Sequence, residues 1–177
     1  MSRADPSCSV PSALSPWSVS MPELTLAIAA ILEEANLDYV RQDSTDGTTF
    51  ALSMQGEHCL FDTWVAIYED TQRVMVVSNH ANHAPIERVS DVVEYLMRVN
   101  AGLILGSFDY DYDSRAIRFR TAVDVERVSH DEALTALFKN MFFTNLITAD
   151  RYFHGLAKVL GPGITPAAAV ALIREAH

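Results

Sequence analysis

The 177-residue sequence is short of cysteine, of basic charge and of long apolar runs, and each shortage removes a class of protein. Its two cysteines, Cys8 and Cys59, stand far apart, so no disulfide framework is expected and a reducing compartment, the cytoplasm, fits the chain. Lys and Arg number 13 against 23 Asp and Glu, a formal net charge of -10. Such a surface repels phosphate, and no basic run offsets it, which disfavours nucleic acid and anionic membranes as bulk partners. No stretch approaches the roughly 20 consecutive apolar residues of a membrane helix. Nucleophile elbow, Walker loop, dinucleotide fingerprint and HExxH helix are all missing, so neither enzyme activity nor a cofactor is expected.

What the chain does have is apolar material, 49% of its residues, enough to bury one core in a chain short for two domains. Residues 1–20 are rich in Ser and Pro, show no helical or strand period, and are expected to form a disordered arm before a single domain over 21–177. The Met21-Pro22-Glu23 junction is itself a candidate translation start.

Ser20 with Glu23 has capping-box spacing, and Leu24, Ile28, Ile31 and Leu32 recur at helical intervals, predicting a helix that ends near Asn36. A short strand over Leu37–Gln42, alternation around Phe50, Leu52 and Met54, a run apolar on both faces over His58–Tyr68, and Val74–Val77 follow, each set off by polar turns. That is an antiparallel meander. Ile86, Val89, Val93 and Leu96 predict a second helix stopped by Gly102, then strands over Leu103–Tyr112 and Ala116–Val125. A Ser129–Glu132 capping box opens a long amphipathic helix closed by Gly161-Pro162-Gly163, and Thr165 caps a last short helix from Pro166.

The segment RVNAGLILGSFDYDYDSRAIRFRTAVDVE, Arg98 to Glu126, resembles the YbjN family of bacterial proteins, labelled sensory transduction regulators. The features that carry the resemblance are the helix ending in Asn100, Gly106 with Phe108, the acidic turn, the aromatic-basic strand Ile117–Arg120, and Val123-Asp124. The LEEANLDY ending of the first helix and DRYF, Asp150–Phe153, agree in order. The resemblance implies an α+β fold, an antiparallel sheet with helices on one face in α-β-β-β-α-β-β-α order. That order is similar to type III secretion chaperones, small acidic homodimers that hold segments of client proteins. It carries over no catalytic residue.

Four groups of residues are candidate sites. Asp109, Asp111 and Asp113 alternate as in a calcium loop, but Ser114 and Arg120 stand where such a loop needs Gly and a bidentate Glu. A hairpin turning between Asp113 and Ser114 instead sets Asp109 opposite Arg118, Tyr110 opposite Ile117 and Phe108 opposite Phe119. His80 and His83, with His58 or Cys59, could ligate a metal in a sensor, though only two ligands are local and no metal is expected. Arg115, Arg118 and Arg120 would be the basic patch of a nucleic-acid-associated regulator.

The last group is apolar. On the long helix Leu134, Phe138, Met141, Asn145, Ala149, Tyr152 and Leu156 share one stripe, leaving Phe143 and Ile147 on another. Either the C-terminal helix, Ala167–Ile173, folds over that pair, or the pair meets a partner. Trp64 and Tyr68 lie either beneath the long helix or on the open face of the sheet. The expected function is a non-enzymatic, chaperone-like adapter or regulator that binds another protein as a homodimer through Phe143, Ile147, Trp64 and Tyr68.

Overall fold

The computed structural model describes residues 23–175. The arm, Met21 and the Ser20 cap lie outside them. The chain runs α1 (Glu23–Glu34), β1 (Val40–Ser44), β2 (Gly47–Gln55), β3 (Leu60–Tyr68), β4 (Arg73–His80), a 3-10 turn (Ile86–Arg88), α2 (Val89–Asn100), β5 (Ser107–Tyr110), β6 (Ile117–Asp124), α3 (Glu132–Leu160) and α4 (Pro166–Glu175). All six strands form one antiparallel sheet in the order β1-β2-β3-β4-β6-β5. This is the expected α+β class. Compared with the α-β-β-β-α-β-β-α order implied by the resemblance, the chain adds an edge strand and a closing helix, both of which its own residue pattern predicts.

Strand parity decides what is buried. Phe50, Leu52, Phe61, Val65, Ile67, Val74, Val76, Ile117 and Phe119 project from one face of the sheet into the core. Removing that much apolar surface from water is the main stabilising term of the fold. The opposite face carries Ser53, Asp62, Trp64, Arg118 and Arg120, paired across strands in the same register rows. Trp64, 42% exposed, and the half-buried Tyr68 therefore lie on the open face, not beneath the long helix.

The core has two lobes that share α3. Its first half packs Leu134, Phe138, Met141 and Phe142 against α1 and β2–β4. Its second half packs Ala149, Tyr152, Phe153, Leu156 and Val159 against α2, β5, β6 and α4. At the junction Asn145, fully buried, accepts from Ser78 Oγ at 2.6 Å and donates to the Val76 carbonyl at 3.1 Å and Thr121 Oγ1 at 3.1 Å. Ser78 Oγ in turn lies 2.9 Å from Thr63 Oγ1. A polar group inside such a core is tolerable only when its hydrogen bonds are made, and here they tie the helix to β3, β4 and β6. Gly155 lets α2 and α4 close over the second lobe, because a Cβ there would collide with the Tyr95 hydroxyl and Ile173.

Some local signals resolve differently from expectation. The first turn of α1 is capped from across the fold: Glu69 Oε1 accepts from Leu24 N at 2.8 Å, and its Oε2 from Thr25 N at 3.2 Å. The N-cap of α3 is Asp131, not Ser129; its carboxylate accepts from Ala133 N at 2.8 Å while Ser129 Oγ donates to it at 2.8 Å. The strand expected to begin at Leu103 begins at Ser107, leaving Ile104 and Leu105 exposed. Thr165 caps α4 as expected, accepting from Ala168 N at 3.3 Å.

Candidate functional site

The acidic hairpin is an ion-paired surface. Its register is Phe108 to Phe119, Asp109 to Arg118 and Tyr110 to Ile117, as the sequence predicts. Arg118 Nε meets Asp109 at 3.1 Å, its terminal nitrogen meets Asp111 at 3.2 Å, and Arg120 Nε meets Asp109 at 2.8 Å. These carboxylates already serve two arginines, and those arginines are correspondingly neutralised. The basic patch required of a nucleic-acid regulator is thus not assembled by Arg118 and Arg120.

The histidines expected of a metal sensor do not converge. His80 Nδ1 lies 3.0 Å from the Asn82 carbonyl and 3.1 Å from the Asn82 amide, its ring edge-on to Phe153. His83 Nδ1 is 2.6 Å from the Ser114 carbonyl. Among the described residues, no three His, Cys, Asp or Glu side chains gather in a way that could hold a metal ion.

Phe143 and Ile147 have a different fate. On α4, Ala169, Val170 and Ile173 are buried against α2 and the C-terminal half of α3, where Arg151 donates to the Ile173 carbonyl at 3.1 Å. α4 therefore stops short of Phe143 and Ile147, which stay 46% and 67% exposed. They border a groove of about 300 Å³ between α3 and the β2–β3 hairpin. Met54, Phe61 and Leu146 supply further apolar lining, and Gln55, Glu57, His58 and Arg151 form its polar rim. Positions 143, 147, 150 and 151 fall on one helical stripe, so a single face of α3 builds the whole wall.

Asp150 fixes the opposite wall. Its carboxylate accepts from Glu57 N at 3.0 Å, His58 N at 3.1 Å and Cys59 N at 3.0 Å, and the His58 ring Nδ1 lies 2.8 Å away. Facing a carboxylate, Nδ1 must be the protonated ring nitrogen. The turn closes so tightly that a Cβ on Gly56 would overlap the Asp150 carboxylate. Burial opposes ionisation of Asp150, but the His58 ring and the His58 and Cys59 amides outweigh it and hold the carboxyl below its ordinary 3.8. Burial, then the Asp150 carboxylate, pushes the Cys59 thiol up to about 12. At neutral pH it is protonated and a poor nucleophile.

Because Asp150 titrates lower folded than unfolded, its contribution to stability is complete above about pH 4 and is lost as pH falls through the folded value. The parent protein should exceed Asp150→Asn in thermal midpoint at pH 7, and the difference should narrow as pH falls below the ordinary carboxyl value of 3.8. Thermal melts followed by circular dichroism across that range check it.

Sequence reasoning singled out Phe143 and Ile147 but placed Asp150 only within the DRYF match. The available signal was a carboxylate directly after Ala149 and before Tyr152-Phe153, in a stretch otherwise patterned for burial.

Fold and groove together define an α+β protein with an open, partly apolar groove. The family model of YbjN, described as "Putative bacterial sensory transduction regulator", matches residues 27–158, and the chain belongs to the YbjN family. No curated protein matches the chain. A chain of the HopA1-SchA chaperone-effector complex is similar over 77% of this chain and 98% of its own length, at 13% identity and a TM-score of 0.49. A likeness this distant assigns no ligand or role here. In the described residues no helix is long and apolar enough to cross a membrane.

Proposed function

We propose that this YbjN-family chain is a non-enzymatic, single-domain adapter or regulator, working as a homodimer in the cytoplasm, that receives an apolar segment of another protein in the groove between α3 and the β2–β3 hairpin. The observation that carries the reading is the exposure of Phe143 and Ile147 at the mouth of an apolar groove whose two walls are tied to each other by Asp150. An aromatic and an aliphatic side chain four residues apart, beside a concave apolar floor, form the kind of surface a protein partner buries. The polar rim would orient the incoming segment without supplying much energy. Trp64, on the opposite face of the sheet, is a separate patch and is not part of this groove.

The test is the double variant Phe143→Asp with Ile147→Asp. Both residues are exposed, so the unfolding free energy should change by no more than about 0.5 kcal/mol. Proteins retained by the full chain from its native cell are identified, and affinity is then measured for the apolar segment that binds. That affinity should fall at least about tenfold in the double variant, roughly 1.4 kcal/mol. Unchanged retention and affinity in a folded double variant would refute the groove as the binding site.

A further inference from the structure

The helices cover one face of the sheet, and the face they leave open is not patterned for water. Val40, Ala51, Trp64 and Val77 stand side by side in one register row across β1 to β4. Ala66, Met75 and Ala122 fill the next row on the same face, across β3, β4 and β6. A strand with one side in solvent normally turns polar residues toward it, so two adjoining apolar rows mark a surface that another body covers.

Charge and size say what kind of body. The strands place Arg73, Arg118 and Arg120 on this face with Asp62, Asp109 and Asp124, a balance of zero in a chain of formal net charge -10. A nucleic acid or an anionic membrane meets no excess of positive charge here, whereas a second acidic copy meets little repulsion. Most of these charges border the apolar rows, Asp62 and Arg118 beyond Trp64, Arg73 and Asp124 beyond Met75, which gives an apolar centre inside a polar rim. Six strands about 4.8 Å apart, each contributing about seven residues at about 3.4 Å, span roughly 600 Å² before side-chain relief is counted. That approaches the roughly 800 Å² each partner buries in a standard interface.

We propose that the open face packs on the same face of a second copy, sheet against sheet, about a two-fold axis that crosses the strands between the rows of Trp64 and Ala66. Sheets stacked in this way lie about 10 Å apart and align to within about 30°. The axis exchanges the two rows, so Trp64 lies over Ala66 of the second copy, Val77 over Met75 and Arg120 over Ala122. It also exchanges the flanking rows, which brings Arg118 to Asp124 of the second copy and Asp62 to Tyr68. The largest side chains of the seam thus face small ones and no two like charges meet, as a self-complementary surface requires. Phe143 and Ile147 belong to α3, on the other side of each sheet, so both copies keep an open groove.

This rests on the homodimer part of the proposed function, and the experiment separates the two. Sedimentation velocity on the full chain over a concentration series should show a dimer. Trp64→Glu sets a carboxylate in the apolar centre and should raise the dimer dissociation constant at least about tenfold. Ala122 is exposed and gives a second probe that leaves the core untouched. Ala122→Lys faces Arg120 of the second copy and should weaken the dimer at least about tenfold, whereas Ala122→Glu faces the same guanidinium and should stay within about threefold of the parent or tighten it. Phe143→Asp with Ile147→Asp should leave dimerisation unchanged. Circular dichroism confirms that each variant is folded. A parent that stays monomeric throughout overturns both the homodimer and the seam. A dimer that ignores Trp64→Glu, that responds alike to the two Ala122 substitutions, or that dissociates in the Phe143 and Ile147 variant overturns the seam while leaving the homodimer standing.

Discussion

Replacing Asn145 with alanine should lower the unfolding free energy by about 3 to 4 kcal/mol, the largest single-residue effect expected outside the apolar core. The side chain is fully buried and engages Ser78, Val76 and Thr121, joining α3 to two neighbouring strands of the sheet. Truncation removes those bonds, strands the Thr121 hydroxyl and leaves Ser78 only its bond to Thr63, in a medium where no water replaces the lost partner. It also opens a void at the junction of the two lobes. An unmade buried hydrogen bond costs more than a made one contributes, which is why the loss exceeds a simple count of bonds. Ser78→Ala should cost less, about 1 to 2 kcal/mol, since Asn145 keeps its bonds to Val76 and Thr121. For a chain of this length the Asn145→Ala loss corresponds to a fall of roughly 6 to 15 °C in thermal midpoint. Urea unfolding of the two variants beside the parent measures both numbers. If Asn145→Ala melts within about 2 °C of the parent, the network is not what holds α3 to the sheet.

Replacing Asp150 with alanine should cost about 3 kcal/mol and loosen the groove together with the fold. Three consecutive backbone amides, those of Glu57, His58 and Cys59, lose their acceptor at once, and the His58 ring loses its partner. Hydrogen bonds to a charged acceptor are the stronger kind, and the turn at Gly56 is shaped to no other group. The predicted signature is local. Amide hydrogen exchange at residues 57–59 should accelerate far more than in β4 or β6, because solvent reaches the turn while the core lobes stay packed. Asp150→Asn should fall between parent and alanine, since its amide nitrogen turns a donor toward donors. Partner affinity should drop in step with the exchange rate even though Phe143 and Ile147 are untouched, because one wall of their groove is no longer held.

Much of this molecule is legible in the order of its residues, and particular positions show why. The hairpin register from Phe108 to Ile117 follows from a turn of known centre and side chains that pair by charge and aromaticity, all of it local information. The buried stripe of α3 follows from helical periodicity alone, and every residue assigned to it is buried. The exposure of Phe143 and Ile147 could not be settled the same way. It depends on where α4 docks, and α4 docks through the room Gly155 leaves for Ile173 and the bond from Arg151 to the Ile173 carbonyl, 22 residues further on in sequence. The same holds for Trp64. A strand apolar on both faces carries no local mark of which face the helices take, and the sheet order supplies it.

The ends of elements repeat the lesson at smaller scale. Thr165 caps its own helix and is read directly, whereas α1 is capped by Glu69 from the β3–β4 turn, a partner no local motif contains. What the amino-acid order determined alone was therefore what local pattern sets: the helices and strands, the acidic surface, and the stripe that faces the core, with the class of fold implied by the family resemblance. Tertiary structure decided which apolar residues remain outside it, and that Asp150 anchors a turn some ninety residues earlier. The physical reason is that burial is a property of the packed whole, and a side chain is exposed only when no distant element has come to cover it.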